Sequence, residues 1–134
     1  MSGSKVVFDT CAIILLLKGE YELSSLKIDI EGALQYISVI SRMELMSKRN
    51  MKLEEEHALR SFIADVSVFP LDETIEQKAI ELRRKTTLKL PDCIVVATSI
   101  VLDAILLTND DEILKLSWPG LQTQHIPLST ADSP

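Results

Sequence analysis

The sequence contains few cysteines, histidines, glycines and aromatic residues. Its 134 residues include two cysteines, two histidines and four glycines, and only 4% are Phe, Trp or Tyr. Two cysteines are too few for a disulfide-stapled domain. Because Cys11 and Cys93 both lie in apolar stretches, we expect buried, reduced thiols and an intracellular setting. No glycine-rich turn follows the first apolar run, which argues against a dinucleotide-binding fold.

Long apolar segments are also missing. The run at residues 12–17 is short and follows an acid, so it does not resemble a signal peptide. The stretch at 94–107 is interrupted by Asp103 and is too short to span a bilayer. We therefore expect a cytoplasmic protein that has no membrane partner.

Positive charge is in short supply as well. The formal net charge is −6, whereas proteins that hold nucleic acid by bulk electrostatics carry clustered Lys and Arg. A polyanionic substrate would therefore need local cations. Two groups of basic residues qualify, although a solvated helix face is the default explanation of both. They are Arg42, Lys48, Arg49 and Lys52, and Arg83, Arg84, Lys85 and Lys89.

The rest of the composition is typical of one globular domain. Hydrophobic residues make up 46% of the chain and charged residues 25%, and a chain of this length can bury a core without staples. We expect a single domain at residues 5–128. Residues 1–4 are expected to form a disordered leader and residues 129–134 a disordered tail.

Short β-like runs alternate with helical patterns along the chain, which predicts an α/β fold with a parallel sheet covered by helices on both faces. The segment 20–34 is left open between helix and loop. The predicted strands are 5–8, 36–40, 66–69, 104–107 and an edge strand at 123–126. The predicted helices are 10–18, 41–48, 54–64, 72–85, 93–102 and 111–116. We expect Asp72 to cap the fourth of these, and we expect Pro91 to end the preceding helix, with Asp92 as the cap of the next.

Four acids stand near places where ligands bind in such folds. In an open parallel sheet, sites form beyond the carboxyl ends of the strands. Asp9 follows the first strand, Asp110 follows the fourth, and Glu44 lies one turn into the helix after the second. Asp92 begins a helix that leads into the fourth strand, so strand order alone does not place it. Each acid also has a plainer interpretation, as a helix cap, a turn residue or an exposed helix acid.

Convergence of these acids would imply a cation. Two like charges ~4 Å apart repel by roughly 4 kcal/mol at an effective dielectric constant of about 20. Carboxylate sites without His or Cys suit Mg²⁺ or Mn²⁺ better than zinc. The two histidines, His57 and His125, are interpreted as surface or structural residues.

Four motifs together resemble the PIN domain family, and most closely its VapC-like toxin members. The motifs are VVFDT, ISVISRMEL, KLPDCIVVATS and LLTNDDEI. The resemblance implies a three-layer α/β/α fold with a mostly parallel central sheet. It also implies a Mg²⁺- or Mn²⁺-dependent endoribonuclease that forms a homodimer and is held inactive by a cognate antitoxin.

The resemblance also implies roles for particular residues. The catalytic and metal-binding quartet would be Asp9, Glu44, Asp92 and Asp110. Supporting hydroxyls would come from Thr10 and Thr108, and possible RNA contacts from Arg42, Lys48 and Arg83. Metal ions held by the quartet would activate water for phosphodiester hydrolysis.

The sequence departs from the family pattern at three positions. Cys11 stands where members commonly have Asn, so a supporting hydrogen bond is expected to be missing. Ile113 replaces an aromatic residue after the last motif. Asp111 adds an acid beside Asp110, and we assign it to the first turn of the following helix, where it favours the helix dipole.

Two other functions were weighed against the nuclease. A PIN fold that binds RNA or protein without cutting would be expected to lose part of the quartet, and all four acids are present. A haloacid-dehalogenase-like phosphotransferase would need a second acid two positions after Asp9, where Cys11 stands. The sequence therefore favours the nuclease, with the silent binding module as the alternative.

Overall fold

The computed structural model describes residues 4–21, 26 and 28–128. Apart from Ser4, the predicted leader lies outside the described residues, as does the predicted tail from residue 129 onward. The expectation of a single domain with these boundaries stays a prediction.

The described part of the chain alternates strands with helices. The strands are β1 (Lys5–Phe8), β2 (Leu34–Ser38), β3 (Ser67–Phe69), β4 (Ile105–Leu107) and β5 (Gln122–Gln124). The helices are α1 (Thr10–Lys18), α2 (Val39–Met46), α3 (Leu53–Asp65), α4 (Glu73–Lys85), α5 (Leu90–Leu102) and α6 (Asp111–Leu114). All the strands pair in parallel, in the order β3-β2-β1-β4-β5.

Side chains of the central strand β1 are buried on both faces of the sheet. Val7 packs into a cluster with α4 and α5, which includes Ile75 and Leu82. Val6 and Phe8 point to the other face and pack with residues of α1, α2 and α3. Successive strand side chains alternate between the two faces of the sheet. Both faces of β1 are packed against helices, so helices cover both sides of the sheet. The three-layer α/β/α prediction is confirmed.

The helix boundaries follow local chemistry that is readable in the sequence. Gly19 ends α1 with φ +70° and donates its N–H to carbonyls of the last turn, a conformation that glycine adopts without steric cost. The Asp72 side chain accepts a 2.9 Å hydrogen bond from the Ile75 N–H and caps α4, as predicted.

Several predicted boundaries are wrong by two residues or more, and two of them have a clear local cause. The second strand stops at Ser38, not at residue 40, because the Ser38 hydroxyl accepts from the Ile40 N–H and starts α2. Pro91 does not end the helix before it, since α4 already stops at Lys85. It lies instead in the first turn of α5, where its missing N–H costs nothing.

The remaining expectations concern single residues and the open segment. His57 and His125 are exposed, as predicted. Both cysteines are free thiols, but only Cys93 is fully buried, and Cys11 is half-buried. The described residues of segment 20–34 contain no helix, and Tyr21 forms an isolated bridge with Leu128. No helix in the described ranges is long and apolar enough to cross a membrane.

Candidate active site

The site lies where the strand order reverses. The chain runs from β1 to β2 on one side of the sheet and later returns to place β4 on the other side of β1. The loops that follow β1 and β4 therefore diverge at the carboxyl ends of these strands and leave a crevice between them. Asp9 directly follows β1, and Thr108 to Asp110 directly follow β4.

Asp9 is held more firmly than the other three acids. Its side chain is only 4% exposed, and its Oδ1 accepts a 2.8 Å hydrogen bond from the Thr10 N–H at the start of α1. Its Oδ2 accepts a 2.6 Å hydrogen bond from the fully buried Thr108 hydroxyl. Asp9 is thus an N-cap, as the plainer interpretation held, and it also points an anchored carboxylate into the crevice.

Thr108 connects Asp9 to Asp110. While its hydroxyl donates to Asp9, its Oγ1 accepts a 3.0 Å hydrogen bond from the Asp110 N–H. The Asp110 Oδ1 in turn accepts from the N–H groups of Glu112 and Ile113 and caps α6. Asp111 is exposed in the first turn of α6, as predicted.

Glu44 reaches the site from α2. Its side chain is exposed, and its Oε1 accepts a 2.8 Å hydrogen bond from the Thr10 hydroxyl. Thr10 Oγ1 also lies 3.0 Å from the Oγ of Ser41, which is completely buried one turn before Glu44. Thr10 therefore ties the start of α1 to α2.

Asp92 lies in the first turn of α5 and is not its N-cap, which is Lys89. The end of α5 leads directly into β4, so α5 runs against the strand direction and its start lies at the carboxyl edge of the sheet. Burial first, and then the charges of Asp9, Asp110, Glu44 and Glu112, raise the pKa of Asp92 to about 6. Asp92 therefore lies within electrostatic reach of the other acids.

The Cys11 thiol takes up part of the role expected of Asn. Its Sγ lies 3.4 Å from Asp9 Oδ2 and 3.7 Å from Thr108 Oγ1, and it accepts from the Asn109 N–H at 3.5 Å. Desolvation by burial, and then the Asp9 charge, raise the pKa of Cys11. The protonated thiol can therefore donate weakly to Asp9, so the expected hydrogen bond is weakened and not lost.

All four predicted acids line one open cavity of about 330 Å³. Its other lining residues are Thr10, Cys11, Ile14 and Asn109. Within the described ranges, however, no three His, Cys, Asp or Glu side chains stand in an arrangement that could hold a metal ion.

The donor chemistry of this cavity nevertheless fits a hard cation. Mg²⁺ keeps several of its waters and needs only one or two direct carboxylates, so the remaining acids can act through metal-bound water. After burial, the charges of the nearby carboxylates are the second cause of the raised pKa of Asp92, so negative charge is crowded there. A Mg²⁺ or Mn²⁺ ion bound by Asp9 and Asp92 would relieve that crowding.

The predicted RNA contacts do not line this cavity. Arg42 and Arg83 are exposed on α2 and α4. Lys48 forms a 2.7 Å salt bridge with Glu55 and lines a neighbouring groove. Any contribution of these residues to RNA binding would be made from the rim.

Sequence reasoning missed three residues at the site. Ser41 lies behind Thr10, and Glu112 is close enough to raise the pKa of Asp92. Asn109 fixes the loop after β4, because its Oδ1 accepts a 2.8 Å hydrogen bond from the Ile126 N–H. All three residues stand within quoted motifs, Glu112 and Asn109 in LLTNDDEI and Ser41 in ISVISRMEL. The role of Ser41, however, depends on a contact between two helices that the motif does not show.

Comparison with known proteins agrees with this architecture. The profile of the PIN domain family matches residues 6–119. No curated protein sequence matches the chain significantly.

Among solved structures, a chain of a toxin-antitoxin complex from Klebsiella pneumoniae is 27% identical, with a TM-score of 0.70 over 87% of this chain and 95% of that one. A chain of VapBC2 from Rickettsia felis shares the fold at 18% identity, with a TM-score of 0.74 over 90% and 97% of the two chains. A chain of VapBC from Salmonella typhimurium gives 23% identity and a TM-score of 0.71 over 91% and 98%. The family match covers most of the sequence, and the chain belongs to the PIN domain family.

Proposed function

We propose that this protein is a metal-dependent endoribonuclease and the toxin of a toxin–antitoxin pair. The observation that carries the proposal is the convergence of four carboxylates, from four separate parts of the fold, on one open cavity. Burial, and then the charges of the neighbouring carboxylates, raise the pKa of Asp92 to about 6. A carboxyl group in a cleft whose pKa is raised by burial and by specific charged neighbours is typical of a functional site.

The proposed chemistry is hydrolysis of a phosphodiester bond in RNA. A Mg²⁺ or Mn²⁺ ion, when bound, lowers the pKa of water and offsets charge on the leaving oxygen. Asp9 contributes a fixed carboxylate, because hydrogen bonds from Thr10 and Thr108 restrain both of its oxygens. Asp92 must be ionised to bind the cation, while Glu44 and Asp110 complete the acidic wall.

The RNA substrate is negatively charged and would approach a protein of negative net charge, so local cations matter. Arg42, Lys48 and Arg83 are all exposed, and we propose that they contact RNA phosphates outside the cavity. Lys48 lines a groove that shares Thr10 and Glu44 with the acidic cavity. Exchange of its Glu55 partner for a phosphate would free it for this role.

An antitoxin partner is supported by a second cavity. A groove of about 430 Å³ lies between α1, α2 and α3, and Ile14 lines both this groove and the acidic cavity. Its walls include the buried Leu45 and Leu59 and the partly exposed Leu17. An apolar surface of this kind beside a nuclease site suits a protein that covers both. We further propose a cytoplasmic homodimer.

The test is cleavage of a mixed single-stranded RNA pool with Mg²⁺, Mn²⁺ or EDTA. We expect metal-dependent cutting by the wild type, and losses of at least about 100-fold in Asp9→Asn and Asp92→Asn, the range expected when an essential catalytic group is removed. Asp103→Asn is the matched control, because Asp103 is exposed at the opposite end of α5 and its left-handed backbone suits Asn.

A second function, binding RNA or protein without cutting, is favoured by one observation. No three potential ligand side chains stand ready to hold a metal in the described residues. If the wild type binds RNA but no metal supports cleavage, the silent binding module replaces the nuclease. If the Asp9 and Asp92 variants cut as well as the wild type, the assignment of the site is wrong.

A further inference from the structure

We propose that Ser41 is a positioning residue that fixes Glu44 through the Thr10 hydroxyl. This inference rests on the proposed function for its consequence, but its geometric part does not. Ser41 and Glu44 are three residues apart on α2 and so lie on the same face of that helix. Thr10 opens α1 and touches both, at 3.0 Å from Ser41 Oγ and 2.8 Å from Glu44 Oε1.

In the structure the Thr10 hydroxyl is the donor in both contacts, to Ser41 Oγ and to Glu44 Oε1, although it carries a single hydrogen. An ionised glutamate accepts hydrogen bonds and cannot donate them. When Thr10 gives its hydrogen to Glu44, the contact with Ser41 is kept if the Ser41 hydroxyl rotates and donates to Thr10. The order of donation is then Ser41 to Thr10 to Glu44, and each donor polarises the next.

Ser41 differs from the other buried hydroxyl groups in helices. In α5, Thr98 and Ser99 return their hydrogen bonds to carbonyls of their own helix, those of Ile94 and Val96. Ser41 is equally buried, at 0% exposure, but its hydroxyl faces another helix. The contact with Thr10 links α2, which follows β2, to α1, which follows β1.

The consequence is a fixed position for a side chain that would otherwise be mobile. Glu44 is exposed, and an exposed glutamate loses substantial rotamer freedom when it is ordered. The hydroxyl groups of Ser41 and Thr10 order the Glu44 side chain already in the metal-free protein, so less entropy is lost when a cation binds. Residues that orient metal ligands in this way typically change metal affinity by about 10–100-fold, and we expect about 3–10-fold for Ser41 because it acts through Thr10.

The first measurement is the rotamer distribution of Glu44 in the metal-free protein, from NMR three-bond couplings. We expect one dominant χ1 rotamer in the wild type and averaged couplings in Ser41→Ala. Ser41→Thr should retain the donor and the single rotamer. Ser99→Ala is the matched control, since it removes an equally buried helix serine that does not touch Thr10.

The second measurement is Mn²⁺ affinity by titration calorimetry on the same variants. We expect about 3–10-fold weaker binding in Ser41→Ala, little change in Ser41→Thr or Ser99→Ala, and a larger loss in Thr10→Val. If Ser41→Ala does not fold, Ser41→Cys keeps the side-chain size and replaces a strong donor with a weak one.

The outcomes separate the two proposals. Unchanged Glu44 couplings in a folded Ser41→Ala or Ser41→Cys variant would overturn the positioning role. Changed Glu44 couplings in Ser41→Ala, together with a wild-type protein that binds no Mn²⁺, would support the positioning role while contradicting the metal-dependent nuclease. Unchanged Mn²⁺ affinity together with changed couplings would overturn the claim that Ser41 serves the metal site.

Discussion

Asp92 carries a cost that the fold alone does not require. Burial and four neighbouring carboxylates raise the pKa of Asp92 from 3.8 to about 6. An acid whose pKa is higher in the folded state binds its proton more tightly there than in the unfolded chain. Its contribution to stability is therefore present below about pH 4 and is lost as the pH rises through 6.

Replacing this charge should stabilise the metal-free protein. We expect Asp92→Asn to raise the free energy of unfolding at pH 7.5 in EDTA by on the order of 1 kcal/mol, after allowance for solvent screening of a partly exposed group. The gain should shrink towards pH 4, where wild-type Asp92 is protonated in the folded protein. Urea unfolding at several pH values measures both quantities.

The Asp103→Asn variant provides the reference for this comparison, because it removes an exposed acid from the other end of the same helix. If Asp92→Asn does not raise the free energy of unfolding, or raises it equally at pH 4 and pH 7.5, the charge of Asp92 does not destabilise the folded protein. Stabilisation combined with loss of cleavage would indicate that Asp92 is retained for function.

At this scale the sequence predicted what local chemistry determines. Asp9 and Asp110 each follow a strand, so their place at one edge of the sheet could be inferred, as could the capping role of Asp9. Asp110, which was interpreted as a turn residue, caps α6. The contact between Ser41 and Thr10 joins residues 31 positions apart. No local sequence pattern shows whether a buried helix serine such as Ser41 will bond within its own helix or to a neighbouring one.

At the scale of elements, the chain position of Asp92 was the hardest to predict. The sequence predicts that one helix ends at Pro91 and that Asp92 caps the next. The structure begins α5 at Leu90 and places both residues in its first turn. Proline is compatible with an interrupted helix and with a first turn, so the motif alone could not decide.

The end of α1 offers a test of backbone chemistry without side-chain effects. Gly19 has φ +70°, and a Cβ built there meets nothing within 4 Å. We expect Gly19→Ala to lower the free energy of unfolding by about 1 kcal/mol through backbone strain alone. Gly19→Asn should cost less, because Asn tolerates the left-handed region. Thermal and urea unfolding measure the difference.

RNA cleavage by the two Gly19 variants should match the wild type after correction for the folded fraction, because Gly19 is at the far end of α1 from Thr10. Equal stabilities of the Ala and Asn variants would contradict the backbone explanation. A selective loss of cleavage in either variant would show that the end of α1 contributes to the site.

At the scale of the whole molecule, the sequence predicted the layers and the edge but not the closeness of the acids. Alternation of strands and helices determines a parallel sheet covered on both faces, and the carboxyl edge then collects Asp9 and Asp110. How far α2 and α5 carry Glu44 and Asp92 inward depends on helix packing. The arrangement that results gathers charge in a protein whose net charge is already −6.

Divalent metal should therefore stabilise the whole fold. A ligand that binds only the folded state adds RT ln(1 + [L]/Kd) to its stability, which at ten times Kd is about 1.4 kcal/mol, or roughly 5 °C in Tm for a domain of this size. We expect Mn²⁺ or Mg²⁺ to raise Tm at pH 7.5, and K⁺ at matched ionic strength to have a much smaller effect. Differential scanning fluorimetry measures each shift.

The pH dependence and the variants make this prediction specific to the acidic cavity. Because Asp92 has a pKa of about 6, protons compete with the cation, and the metal-induced rise in Tm should be smaller at pH 5.5 than at pH 7.5. Asp103→Asn should keep the rise, and Asp9→Asn should lose most of it. Equal shifts with K⁺, or with the Asp9 variant, would mean that metal acts on general surface charge and that the four acids do not form its site.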